Sequence, residues 1–539
     1  MPTEKLALVS EKPQAYISPK PMPTTKATTP ETNSSHRNVL IVGGGPAGLA
    51  TALMLALRGW TNITVLEKRP NAGYYEPDKS FNYLIDGRGQ KMTDLLGLTE
   101  QLSEISVPNT EFYLTRIEPN GSRKTLKVPL INPQRKTAYW VSRRAFVLLL
   151  YEEIVKNWQD RITVLFDIQC FQINKTAINN TEEEKLEVVA QQENGSLLKF
   201  EPELLVGCDG LSSLVRNTLQ EWDEPTSDRF EMKGFPSPSS GLRYKVLSLP
   251  PKFPLDHSNS EHAVSNMAYA IRAAFRGRKQ AFSLGLLPLK NPDEPRSANI
   301  IRLPNHQIWE LKTRDQMLDF LEKAFPQLPV RQIVSPEEAE RFALSEGGKF
   351  PIPQYCSGLH VLLRQTQADK VLHERSAAGV VLLGDAIHCF PPDIGQGVNS
   401  ALEDVYVLNE ALSRSGDDLS RALPNYELER SPDVKAVVRL AQVAFPWQYN
   451  QAPLRTWLWS INFFLRLLLG RLLPYVFSPP AFFLIQNHQL SYKEIWVRVQ
   501  RTTQTLFVLG LMLMCGFLTL ALRIITDYHA FAINWDKFQ

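Results

Sequence analysis

Val39-Leu40-Ile41-Val42-Gly43-Gly44-Gly45-Pro46-Ala47-Gly48 is the stretch on which the fold of this chain turns. A short, β-branched apolar run breaks into G-x-G-x-x-G. Gly43 allows a tight turn, Gly45 lets the backbone come close to a pyrophosphate, and Gly48 lets a helix pack against the strand. The helix that follows is legible in Leu49, Ala52, Leu53, Ala56 and Leu57, which recur at helical spacing. Gly59 supplies a left-handed stop. A second apolar strand, Ile63 to Leu66, ends at Glu67. Strand, glycines, helix, strand and acid fall in order within about 30 residues, as a dinucleotide-binding βαβ unit requires. A carboxylate at that strand end accepts hydrogen bonds from ribose hydroxyls and repels a 2′-phosphate, so the nucleotide expected here is FAD or NAD.

Two further motifs extend the reading. Leu204-Leu205-Val206 leads into Gly207-Cys208-Asp209-Gly210, followed by Ser213 and Arg216. Val380-Val381-Leu382-Leu383 leads into Gly384-Asp385-Ala386-Ile387-His388, then Pro391-Pro392-Asp393-Ile394-Gly395-Gln396-Gly397-Val398-Asn399. Asp385 is placed to bind a polyol hydroxyl. The glycine loop Gly395–Gly397 and the helix start after it can present backbone N–H groups to an electron-rich ring edge or a phosphate. The expected cofactor-binding set is Gly43, Gly45, Pro46, Ala47, Gly48, Glu67, Lys68, Arg143, Asp209, Gly210, Gly384, Asp385, Gly395, Gln396, Gly397, Val398 and Asn399.

With these three motifs in order, the chain resembles the class A flavoprotein monooxygenases, the para-hydroxybenzoate-hydroxylase-like family, over roughly residues 38–430. The resemblance implies FAD as cofactor, NAD(P)H and O₂ as co-substrates, and hydroxylation of an organic substrate. It assigns the Asp209 motif to FAD and NAD(P)H, the Asp385 motif to the ribityl chain, and Arg143 in Val141-Ser142-Arg143-Arg144 to FAD contact. Within the family the nearest likeness is to the kynurenine 3-monooxygenases, through Lys79-Ser80-Phe81-Asn82, Gly87-Arg88-Gly89, the Gly384–His388 run and Gly395-Gln396-Gly397.

The departures concern the substrate. Kynurenine hydroxylases clamp an amino-acid carboxylate with an arginine and a tyrosine, and Phe112 and Leu130 stand at those places. A phenyl ring cannot replace a bidentate cation. Asp393-Ile394 replaces an aromatic pair, and Lys79 replaces an arginine whose fork it lacks. A lipophilic substrate without a carboxylate is therefore expected, such as a quinone, a prenylated aromatic or an isoprenoid. His388 and Asp393 are the candidate catalytic side chains; their plainer roles are a structural hydrogen bond and a turn cap. Competing functions are a membrane-bound FAD-dependent reductase or dehydrogenase of a quinone or isoprenoid, and a catalytically dead flavoprotein scaffold. The intact carboxylates Glu67, Asp209 and Asp385 speak against the scaffold.

The rest of the chain sets the architecture. At 539 residues it needs two to four units. A net charge of +3 over that length gives no footprint for nucleic acid. The five scattered cysteines form no C-x-x-C pair, so neither a disulfide framework nor a metal site is expected. Residues 1–36, rich in Pro, Thr and Ser, read as a disordered arm. They lack an apolar secretory core, and Glu4, Glu11 and Glu31 speak against a transit peptide.

The fold class expected is α/β: a Rossmann-type FAD-binding domain, discontinuous over 37–224 and 371–430. A mainly antiparallel β substrate domain is inserted at 225–370, and a C-terminal helical membrane region follows. In the insert, Met267 to Ile271, Ala281 to Leu286 and Leu359 to Leu363 read as strands, and Asp315 to Phe325 as a helix. Residues 431–500 should be helical and interfacial: Trp457, Trp459, Phe463, Phe464, Leu467 and Leu468 are punctuated by Arg455, Arg466 and Arg471. Thr505 to Leu522 carries no charge and is long enough to cross a hydrocarbon core, which places a transmembrane helix at 503–525. Arg498 and Arg501 before it favour a single-pass anchor with the catalytic part on the cytoplasmic side.

Overall fold

The structure is a computed structural model that describes residues 37–128, 135–177, 183–277, 280–364, 378–449 and 452–536. The N-terminal arm and Leu130 lie outside the described residues.

The fingerprint strand Val39–Val42 sits inside a six-stranded sheet. It pairs in parallel with Ile63–Leu66 on one side and Leu204–Gly207 on the other. Leu204–Gly207 pairs in parallel with Gly379–Leu382, and Ile162–Leu165 extends the far edge. Val39, Leu40, Ile41 and Val42 are all buried, as a parallel strand covered on both faces must be. The register aligns Val42, Gly207 and Leu382. The three motifs therefore leave the same edge of the sheet side by side, the arrangement that places ligands beyond the carboxyl ends of strands.

The second body is a seven-stranded sheet whose strands include Arg243–Leu249, Arg296–Arg302, Ser283–Leu286 and Ala268–Arg272. It is backed by the helix Arg314–Ala324, whose Met317, Leu318 and Leu321 join Phe325 in a separate core. The expected strands lie here with shifted ends: Ala268–Arg272 and Ser283–Leu286.

Three boundaries differ from the expectation. Phe112–Ile117 and Arg123–Val128 fall inside 37–224, yet they belong to the seven-stranded sheet, where Leu114–Ile117 pairs in parallel with Ala268–Ile271. Strand pairing over such sequence distance is a tertiary choice that local pattern does not encode.

The second difference is His360–Leu362, expected in the insert. It pairs antiparallel with Gly379–Leu382 at the edge of the nucleotide sheet. Glu427 holds it there, accepting hydrogen bonds from the backbone N–H of Leu359 at 2.8 Å and of His360 at 3.2 Å.

The third is the span 431–500, which is not uniformly interfacial. Helix Leu419–Val443 runs through Pro432 with Val434, Val437, Val438, Leu440 and Ala441 buried. Ala481, Leu484, Ile485, Tyr492, Ile495 and Val499 join the nucleotide-domain core. Helix Pro453–Leu472 has no fully buried residue; it packs Trp459 and Phe463 on Phe445 and Phe483 and exposes Leu454, Trp457, Leu458, Ile461, Phe464 and Leu468. The tail helix Tyr492–Asp536 is long and apolar enough to cross a membrane, and its apolar stretch is wholly exposed. It starts earlier than 503 because its first turns are a packed part of the globular body.

Candidate active site

The glycines of the fingerprint have different surroundings, two of them crowded and one open. Gly43 has φ +106°, and a Cβ there would sit 2.4 Å from the Cys208 carbonyl oxygen. At Gly48 a Cβ would lie 1.9 Å from the Gly43 oxygen. Gly45 differs: an added Cβ would meet nothing within 4 Å, so its side of the loop is open. Pro46 and Ala47 begin helix Pro46–Leu57 directly after Gly45, so the helix start, with first-turn N–H groups that have no partner within the helix, adjoins that open side.

Glu67 is buried and fastens the loop: its Oε2 accepts from Gly44 N at 2.8 Å, its Oε1 from Arg69 N at 2.9 Å. A carboxylate has roughly four acceptor positions, so capacity for ribose hydroxyls remains. Lys68 next to it is exposed. Arg69 and Arg143 both approach Glu76, Arg143 at 3.8 Å, so the expected FAD-contacting arginine is held by an acid that the sequence reading did not single out. The Arg143 backbone N–H donates to the Phe81 carbonyl at 2.8 Å, which ties the start of its helix to the Lys79–Asn82 motif.

At the second strand end, Asp209 Oδ2 accepts from Leu214 N at 2.7 Å and Val215 N at 3.2 Å, while Oδ1 has no hydrogen bond. Burial raises this carboxyl above its usual range, against the pull of Ser213 and those N–H groups. Gly210 follows with φ +83°. Arg216 Nη1 reaches across to the Ala386 carbonyl at 3.1 Å and locks the second motif onto the third.

The third motif is carried by a buried ion network with no counterpart in the sequence reading. Asp404 Oδ2 accepts from Gly384 N at 2.8 Å and lies 2.9 Å from His388 Nε2. Its Oδ1 takes the Arg430 Nε–H at 2.6 Å, and Arg430 also binds Glu403 and Ser400. Burial opposes ionisation of Asp404, but His388 and Arg430 overcome it and hold the carboxyl below its usual range. Asp404 lies among Ala401, Leu402, Val405 and Leu408, which are all buried. A charge on an inward helical stripe was the one signal that could have revealed it.

His388 is fully buried, with its Nε2 at 2.9 Å from Asp404 Oδ2 and 3.2 Å from the Ser400 hydroxyl. Asp385 is accessible to solvent though ringed by protein. Desolvation raises its carboxyl, partly offset by His388 and Arg143.

The loop after it is pinned from outside. Gln396 Nε2 donates to Asp86 Oδ2 at 2.8 Å, and its Oε1 accepts from Tyr492 OH at 2.7 Å. Asn399 Nδ2 donates to the Leu84 and Gly395 carbonyls, and its Oδ1 takes Asp86 N at 3.0 Å. Their side chains thus shape the loop. Gly395, Gly397 and Val398 supply backbone: at both glycines an added Cβ meets open space, and the Val398 side chain is buried. Asp393 is also nearly buried; its Oδ1 accepts from Gln448 Nε2 at 3.3 Å.

The residues fit FAD. An open glycine loop at a helix start, an unpaired Asp209 oxygen, an accessible Asp385 and a second open glycine loop converge at adjacent strand ends.

Comparison with known proteins agrees. Residues 36–233 and 362–441, just over half of the chain, match the FAD binding domain family. Kynurenine 3-monooxygenase of Drosophila willistoni is 26% identical over 523 residues, covering 94% of this chain and 99% of the relative. That of Anopheles gambiae is 24% identical over 438 residues, covering 81% and 78%. In fold, the chain is similar to aklavinone-11 hydroxylase, solved with FAD and aklavinone. The TM-score is 0.52 and the identity 17%, with 78% of this chain and 70% of that one covered. The chain belongs to the FAD binding domain family, as an FAD-dependent monooxygenase that is similar to the kynurenine 3-monooxygenases.

Proposed function

We propose that this monooxygenase hydroxylates a lipophilic aromatic substrate that carries no carboxylate, and that it does so at a membrane surface to which its tail helix anchors it. One observation carries the substrate reading: a row of aromatic rings that leads to the foot of the exposed apolar helix. Phe81 and Tyr244 lie 5.5 Å apart, Tyr244 and Phe350 5.4 Å, and Phe350 and Tyr449 5.6 Å. Tyr449 stands just ahead of helix Pro453–Leu472. The row joins the Lys79–Asn82 motif to the seven-stranded sheet and to the membrane-facing segment. Phe112, where a carboxylate-binding arginine is usual, packs instead against Trp140, the rings tilted by 34° with centroids 5.9 Å apart.

Bound FAD supplies the two-electron redox chemistry with NAD(P)H and the activation of O₂. The chain supplies position and environment. The Gly43–Gly48 loop and Glu67 hold the dinucleotide end, Asp385 the polyol, and Gly395–Gly397 the ring edge. Asp404, Arg430 and His388 fix Gly384 so that Asp385 is presented at one place. The aromatic row orients a flat substrate and excludes water. His388 acts from beneath, and Asp393 is the acidic side chain left to face the substrate space. The exposed apolar helix and the tail helix offer a route for substrate partitioned in a bilayer, and Arg466 donates to the Thr503 hydroxyl at 2.9 Å across the two helices.

The test is NAD(P)H oxidation by the FAD-loaded full chain with candidate alkylphenols and prenylated quinones under isotopically labelled O₂. Incorporation of one labelled oxygen atom into product supports the reading. Substrate-stimulated NAD(P)H oxidation that reduces the substrate without incorporating oxygen would instead identify a reductase or dehydrogenase.

A further inference from the structure

We propose that Asp393 is the specificity group of the substrate pocket: its carboxylate accepts a hydrogen bond from a hydroxyl or amino group on an otherwise apolar aromatic ring, and it turns carboxylates away. The inference rests on the substrate reading above and names the polar feature that the substrate must carry.

The position comes first. Asp393 lies between strand His388–Cys389 and the open glycine loop Gly395–Gly397, five residues after His388. Three other segments close on it. Gln448 Nε2 donates to both its carbonyl oxygen, at 3.2 Å, and its Oδ1, at 3.3 Å. Ser239, fully buried, is fixed by donating to the Pro446 carbonyl at 3.0 Å. Tyr449 ends the aromatic row. Asp393 thus stands where the glycine loop, the row of rings and the foot of the exposed helix meet.

Its chemistry comes second. Only 5% of Asp393 is exposed, yet Oδ2 has no hydrogen bond. A buried carboxylate oxygen without a donor costs about 1–3 kcal/mol or more, and a ligand hydroxyl or amine that donated to it would remove that cost. Burial raises the carboxyl to about 6, against the side chains of Ser239, Gln448 and Tyr449, so it is largely ionised at neutral pH. Arg302 donates an N–H to the Tyr449 carbonyl at 3.5 Å. An anionic acceptor beside the Tyr449 ring selects a neutral or cationic donor. Desolvating a second carboxylate beside it would set two like charges in low dielectric.

The probes are 4-ethylphenol, 4-ethylanisole and 4-ethylbenzoate, titrated calorimetrically into the FAD-loaded full chain in nanodiscs at pH 7.5. The expected result is that 4-ethylphenol binds about tenfold or more tightly than the other two, the worth of one charge-assisted hydrogen bond. In Asp393→Leu the phenol and the anisole should bind within about threefold of each other, with FAD content unchanged; Asp393→Asn should fall between. Equal binding of phenol and anisole by the wild-type chain overturns the assignment without recourse to any variant. So does an undiminished preference in Asp393→Leu, or no binding of any probe. Preference for 4-ethylbenzoate would also sink the carboxylate-free substrate reading. Rejection of 4-ethylbenzoate with no effect of Asp393→Leu would sink the role of Asp393 alone.

Discussion

The Tyr492 hydroxyl, in the first turn of the apolar tail helix, donates to Gln396 Oε1 in the glycine loop at 2.7 Å. Tyr492 is fully buried, with the Arg88 guanidinium 4.5 Å from its ring and Arg430 5.8 Å away. Arg88 in turn donates to the Asn487 and Leu490 carbonyls at 2.8 Å. The root of the tail is therefore continuous with the wall of the flavin loop. Tyr492→Phe should cost about 1–3 kcal/mol, because Gln396 is left with a buried, unpaired oxygen. Thermal unfolding and FAD release should both shift; an unchanged Tm and flavin affinity would show that the contact carries no energy.

Tail truncation separates the packed part of that helix from the exposed part. A chain ended after Gln504 retains Tyr492, Ile495 and Val499 in the core and the Thr502 hydroxyl that accepts from Ser478 N at 2.9 Å. It should keep FAD and bind vesicles more weakly than the full chain. A chain ended after Pro480 loses Ala481, Leu484, Ile485 and Tyr492 from that core, several side chains each worth about 1.5–3 kcal/mol of burial, and should not retain FAD. Equal flavin content in the two truncations would refute this division.

The glycines of the fingerprint should fail in different ways. Gly48→Ala places a Cβ 1.9 Å from a backbone oxygen, so the strand–helix packing must shift and the apo protein should lose stability by about 1–3 kcal/mol. Gly45→Ala meets no protein atom, so its apo Tm should hold while FAD affinity falls. Paired melting curves and flavin titrations read both.

Asp385→Ala should release FAD. Loss of a charge-assisted hydrogen bond of about 1.5–3 kcal/mol weakens binding roughly 10- to 150-fold. Tight retention of FAD by this variant would remove Asp385 from the polyol site.

Glu427 offers a pH test of the sheet edge. Burial opposes its ionisation, but hydrogen bonds from His360 and Leu359 and the charge of Arg229 bring the carboxyl down to about 2 from 4.5. A carboxyl depressed in the folded state adds stability that is fully present above its unfolded value and lost as pH falls through its folded value. Glu427→Gln should therefore be less stable than wild type at pH 7, and the gap should close between about pH 4.5 and 2. A gap independent of pH over that window would show that the ionised form is not what holds the strand.

Much of the nucleotide site was legible because its requirements are local. Gly43 and Gly48 are demanded by contacts with their own βαβ neighbours, and the acid Glu67 ends the next strand. The helix Arg314–Ala324 was readable from its periodicity, since Met317, Leu318 and Leu321 all meet one core. Gln396 and Asn399 illustrate the opposite case. Their positions in the glycine loop were evident, but their side chains serve Asp86, Leu84 and Tyr492, partners about 100 to 315 residues away. His388 likewise follows the ribityl aspartate in sequence and yet turns inward to Asp404.

The amino-acid sequence by itself determined the βαβ unit, the three strand-end motifs and the apolar tail, because steric need, strand burial and hydrophobic length act over a few tens of residues or fewer. Only the tertiary structure decided the rest. It sent Phe112–Ile117 into the seven-stranded sheet and His360–Leu362 into the nucleotide sheet, because backbone pairing across long separations depends on which edges are free. It also gathered Asp404, Arg430 and Glu403 under Gly384, where charges survive burial only by meeting one another. Finally, it set the foot of the tail helix against the flavin loop, a contact that exists because Tyr492 fills the space between two buried arginines.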